Sequence, residues 1–119
     1  MKNVFSCVSA AAFAVALVAP AVADNRTVKG EVIDLACSIS RGDGGKGETH
    51  AACAMACAKR GNQMAILTAD AVYLVEGDYA ANSNAKLLDF VARQVEAKGD
   101  VVAKDGTMTI NVASMAIAK

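Results

Sequence analysis

Tryptophan is absent from this chain, proline and histidine occur once each, and aromatics make up only 4% of its 119 residues. A single His gives no basis for a Ser/His/Asp catalytic arrangement, and His50 has a better use below. Charge of one sign is lacking as well. Twelve Lys/Arg stand against twelve Asp/Glu, with no run of like charges, so nothing electrostatic draws the chain to a phosphate backbone or an anionic membrane. Tyr73, Tyr79 and Phe90, the only aromatics past residue 23, make no stacking platform for single-stranded nucleic acid. No hydrophobic run is long enough to span a bilayer: Val4 to Val18 is nearer fifteen residues than the roughly twenty required. What is present, at 55% hydrophobic and 20% charged, is the composition of one small folded domain with four Cys.

The first 23 residues change that arithmetic. Lys2 and Asn3 precede the Val/Ala/Phe-rich stretch, then come Pro20 and the small-residue triplet Ala21-Val22-Ala23. This is the pattern of a secretory signal peptide over 1–23, with cleavage before Asp24 and export to the periplasm or medium. The mature chain of 24–119 is then a single domain of 96 residues with a net charge of −1 and no membrane segment. Cys7 leaves with the leader, and Cys37, Cys53 and Cys57 remain. An odd number of Cys in an oxidising compartment implies a free thiol, an intermolecular bridge or a metal. A domain this small buries only about 60–65% of its unfolded surface and benefits from a staple.

Along the mature chain, Thr27 to Leu35 reads as a strand, with Val28 and Val32 on one face and Gly30 at a bulge or coil. Ser40 to Glu48 has four Gly and no apolar residue, which predicts a mobile surface loop. Thr49 is placed to N-cap the Ala-rich segment after it, Lys59 and Arg60 fall in its last turn, and Gly61 suits C′. That is a helix of about three turns. Met64–Thr68 and Val72–Glu76 form a hairpin around Asp70, and Asn84 opens a short second helix over Ala85–Ala92. Gln94–Lys104 and Thr107–Met115 are strands joined by the hairpin signal Asp105-Gly106. Five short strands with one or two short helices predict a mainly β, α+β domain: a small OB-like, partly open barrel carrying a Cys/His-bearing helix. A flat α+β sandwich is the alternative.

The chemistry concentrates on the first helix. His50, Cys53 and Cys57 fall at i, i+3 and i+7, which at about 100° per residue confines them to an arc of roughly 60°. With Cys37 from the end of the first strand they form a C-x12-H-x2-C-x3-C set, the donors of a tetrahedral zinc site. Thiolates and imidazole suit copper(I) equally, whereas an iron–sulfur cluster more usually asks for four Cys. Four protein ligands imply a structural or storage role, and three leave room for substrate or for transfer of the metal.

Other readings stay open at this point. Cys53 and Cys57 are poorly oriented for a mutual disulfide, with Cα atoms about 6 Å apart in a helix. A bridge from Cys37 to either closes a loop of about 16–20 residues, worth roughly 3 kcal/mol, and leaves one thiol free. The protein would then be a disulfide-stapled module binding a periplasmic protein or a small ligand. A thiol-redox protein is a further alternative. It lacks Cys-x-x-Cys, and Cys53 lies too deep in the helix for the dipole, although His50 can lower a neighbouring thiol's pKa. Met55, Met64, Met108 and Met115 are better explained by core packing than by copper. Ser40–Gly47 misses the first Gly and the Ser/Thr of a P-loop. Arg41-Gly42-Asp43 and the sequon Asn25-Arg26-Thr27 carry no argument without an adhesion context or a eukaryotic host.

At Gly30-Glu31-Val32-Ile33-Asp34-Leu35-Ala36-Cys37, then His50-x-x-Cys53-Ala54-x-x-Cys57 and Gly61-Asn62, the chain resembles a group of small exported bacterial proteins of unassigned function. They share a pattern like GEVVDxxCY…HxxCAxxCxxxGxPxGLLT. Ser38 stands where an aromatic is usual, and Gln63 replaces the Pro. The resemblance implies an OB-type barrel, export and a Cys/His cluster, and no activity. The combined expectation is a periplasmic metal-binding protein holding one zinc or copper ion through Cys37, His50, Cys53 and Cys57.

Overall fold

A computed structural model describes residues 23–119, and the signal-peptide reading with its Cys7 lies outside the described residues. Five strands form the barrel: β1 (Asp24–Asp34), β2 (Met64–Leu67), β3 (Val72–Glu76), β4 (Gln94–Lys104) and β5 (Thr107–Ile117). They close in the order β1-β2-β3-β5-β4, with β3 and β5 parallel and every other pair antiparallel. The small OB-like barrel is therefore present, and its closure is complete. β1 is long enough to serve two neighbours, pairing β4 through Asp24–Glu31 and β2 through Glu31–Asp34. No sheet edge is left in the ring.

The hairpins follow their turn chemistry. Asp105 and Gly106 both take positive φ, +51 and +78, as a two-residue turn between twisted strands requires. Between β2 and β3 the Thr68 hydroxyl, not Asp70, organises the turn, donating to the Ala71 carbonyl and accepting the Asp70 and Ala71 N–H groups. The bulge falls in β5, where Ala113 is skipped as the register shifts opposite Lys98 and Gly99 of β4. Gly30 needs its missing Cβ for another reason, the close approach of the Leu67 carbonyl.

Inside the ring, Val28, Val32, Ile66, Val75, Val95, Val101, Ile110 and Val112 make the core. A helix, α2 (Ala51–Lys59), lays Ala54 and Ala58 on it, while Met64 and Leu87 are fully buried alongside. The methionines are thus packing residues, as expected: Met55, Met108 and Met115 pack against the same cluster. Among the described residues no helix is long and apolar enough to cross a membrane.

Three segments differ from expectation. Residues Leu35–Arg41 form a helix, α1, because Asp34 caps it by accepting the Ala36 N–H at 3.0 Å. The glycine-rich stretch after it is wound into 3₁₀ turns at Gly42–Gly45 and Glu48–His50, and Gly45 is buried against the Cys37 backbone, where a Cβ has no space. The Glu31 carboxylate accepts the Gly47 N–H at 2.8 Å and pins the same stretch to β1. The expected second helix is a 3₁₀ run, Ala85–Phe90, entered through three left-handed residues, Asn82, Ser83 and Asn84.

Asn84 accounts for that unusual entry. Its buried side chain donates to the Ala58 and Asn62 carbonyls, both at 2.9 Å, and so ties down the end of α2. Replacing Asn84 with Ala is expected to cost about 2–4 kcal/mol, from two lost buried hydrogen bonds and an Ala forced into the left-handed region. Asn84→Gly should cost about 1 kcal/mol less because it keeps the backbone comfortable. Chemical denaturation of the pair separates the two contributions, and equal losses would show that backbone conformation contributes nothing.

Candidate metal centre

The cysteines come from the two helices beside the barrel mouth. Cys37 lies in α1, which starts where β1 ends, and Cys53 and Cys57 lie in α2. The end of α2 is fixed by the expected glycine. Gly61, at φ +84, donates to the Ala58 carbonyl at 2.9 Å, and the Asn62 N–H reaches the Cys57 carbonyl at 3.2 Å. The Leu35 N–H donates to the Gln63 carbonyl at 3.1 Å, which holds the start of α1 against the chain leaving α2.

These constraints bring the Sγ atoms of Cys37, Cys53 and Cys57 within 4.8 Å of one another. All three are free, so the Cys37 bridge is not formed. A tetrahedral ion with bonds of about 2.3 Å sets its sulfurs about 3.8 Å apart, so closing on a metal needs only a small contraction. Cys57 is buried, Cys37 half-buried and Cys53 exposed, which gives the cluster one solvent-facing side.

His50 stands outside this three-sulfur group. Thr49 does not cap α2. His50 itself occupies the N-cap position, at φ −102 and ψ −3, at the end of the Glu48–His50 3₁₀ turn. The 100° phase that aligned His50 with Cys53 and Cys57 holds for a continuous α-helix and not for a 3₁₀ turn of about 3.0 residues. The imidazole is nevertheless 4% exposed, and its Nε2 has no hydrogen-bond partner among the described residues.

Two charged residues complete the surroundings, and sequence reasoning assigned a site role to neither. Asp34 is wholly buried at the end of β1. Burial pushes its carboxyl up, but the thiols of Cys57 and Cys37 and the N–H groups of Ala36 and Cys37 outweigh that and hold it below the usual range. Neither thiol is aligned on Oδ2, which has no hydrogen-bond partner among the described residues. Arg60 donates from Nη2 to the Cys57 Sγ at 3.1 Å. The available signals were a carboxylate ending an apolar strand three residues before a Cys, and an Arg three residues after one.

The same neighbours keep the Cys37 and Cys57 thiols protonated. Burial, the hydrogen bond with Asp34 and the charges of Asp34, Cys53 and Cys57 push Cys37 up to about 11. Cys57 is raised by its hydrogen bond with Asp34 and by burial, against the lowering effect of Arg60. A nucleophilic or redox cysteine needs the opposite, a thiolate near neutral pH. A divalent or soft monovalent cation, by contrast, supplies positive charge beyond the single Arg60 guanidinium that this cluster of potential anions has beside it. Comparison with protein-family models, with curated proteins and with solved structures gives no match, so the functional reading rests on this geometry.

Proposed function

We propose that this is an exported metal-binding module that holds one zinc or copper ion through Cys37, Cys53 and Cys57, in a structural or metal-handling role. The observation that carries the reading is the convergence of three free thiols within 4.8 Å from two different helices. Export is supported by the leader pattern of residues 1–23, and the sequence nominates His50 for a fourth position.

The test is elemental analysis and native mass spectrometry of protein purified without chelators from periplasm. One metal per chain, an N-terminus at Asp24 and three titratable thiols after unfolding under chelation are expected. A metal-free protein indifferent to Cys→Ser changes would sink the metal reading. A single titratable thiol would replace it with the disulfide-stapled interaction module.

A further inference from the structure

Asp34 has more carboxylate than its structural task uses. Capping α1 occupies one oxygen, Oδ1, through the Ala36 N–H at 3.0 Å. The other, Oδ2, is sealed from solvent in a residue of 0% exposure and has no hydrogen-bond partner among the described residues. Buried polar atoms are almost always satisfied, and an ionised oxygen left unpaired in the interior marks a place for a cation or a proton donor. The surrounding groups indicate a cation. The cap holds this carboxylate at the first turn of α1, the helix whose third residue is Cys37, and so on the side of the three-sulfur cluster that Cys37 supplies.

We propose that Asp34 Oδ2 is the fourth donor of the centre, giving a Cys37, Cys53, Cys57, Asp34 set that selects a tetrahedral divalent ion of the zinc class over copper(I). This rests on the metal-binding reading above. Copper(I) is satisfied by soft thiolates, whereas zinc also accepts a carboxylate oxygen, at about 2.0–2.2 Å. Charge favours the same ion. Three thiolates and a carboxylate are four negative charges, which a dication halves, and the Arg60 guanidinium on Cys57 offsets one more. Binding releases the thiol protons to solvent, and no electron moves. His50 is the competing donor, since its Nε2 is also buried and without a partner among the described residues; both side chains stand outside the three-sulfur group, but only Asp34 is tied by its cap to the helix that carries Cys37.

Titrations of the reduced protein with cobalt(II), zinc and chelator-buffered copper(I) decide the matter. Asp34→Asn retains an oxygen for the cap and is expected to weaken zinc binding at least about tenfold. It should also alter the cobalt(II) d–d spectrum, while copper(I) affinity changes less than about threefold. Asp34→Ser, which caps without a second oxygen, should reproduce both effects. His50→Ala should leave zinc affinity within about threefold of wild type. The proposal is overturned by unchanged zinc affinity in the Asp34 variants, by equal losses for zinc and copper(I), or by transfer of the loss to His50→Ala. A wild-type protein that binds none of the three ions overturns the metal-binding reading itself.

Discussion

Cys57→Ser is expected to weaken metal binding by two to three decades while leaving the barrel folded. Structural zinc sites contribute about 10–16 kcal/mol, so each of four ligands carries roughly 2.5–4 kcal/mol. Cys57 should lie at the full end of that range because its position cannot adapt. Its carbonyl is held by the Asn62 N–H, its sulfur receives the Arg60 guanidinium, and it is 4% exposed. Water cannot easily take its place. Cys53 is exposed, and in Cys53→Ser a solvent molecule can complete the coordination, so a loss of about one to two decades is expected there. The serine hydroxyl at 57 remains beside Arg60 and Asp34 as partners, and the change in folding stability should stay near 1 kcal/mol. Competition against a calibrated chelator gives the affinities, and denaturation of metal-free protein gives the stabilities. Equal, small losses for both variants would show that the thiols do not act as a ligand set.

That asymmetry between Cys53 and Cys57 was not available from spacing. The sequence showed that the two share a helix face, but which of them turns inward depends on where α2 meets the barrel, through Ala54 and Ala58. The strands were legible because alternation and the Asp105-Gly106 turn are local signals, and β4 runs over the expected Gln94–Lys104. Gly61 was legible for the same reason. Helix α1 was missed because Leu35–Arg41 runs into a glycine cluster that reads as coil, while its start depends on a single side chain, Asp34, folding back on the Ala36 N–H. The phase of His50 failed for a related reason. Helical rotation was carried back to a residue that a 3₁₀ turn sets, and that turn depends on the Glu31 contact with Gly47, sixteen residues away in sequence. Local pattern reaches as far as the elements. The cluster is assembled by contacts between them.

Metal should raise the melting temperature steeply at pH 7 and hardly at all at pH 5.5. At a free ion concentration about a hundred times Kd, binding to the native state alone adds about 2.7 kcal/mol, or roughly 10–20 °C for a domain of this size. The pH effect follows from the thiols. With Cys37 pushed up to about 11 and Cys57 also raised, both are protonated in the metal-free protein across this window, and the ion must displace both protons. Each displaced proton changes log K by one per pH unit, so 1.5 units of acidification weakens binding by about three decades. The same ion concentration then lies at about a tenth of Kd, and the added stability falls below about 0.1 kcal/mol. The metal-free baseline should be nearly flat with respect to these three groups. Asp34, held low, contributes stability that is lost only as pH falls through its depressed pKa, below the ordinary carboxylate range. Cys37, held high, contributes stability that is lost only as pH rises from about 9 towards 11. Both limits lie outside pH 5.5–7, so any pH dependence of the increment belongs to metal binding and not to the fold. Thermal melts with and without zinc at the two pH values provide the measurement. An increment that persists undiminished at pH 5.5 would place the ion on groups that carry no protons to displace, and therefore not on these cysteines.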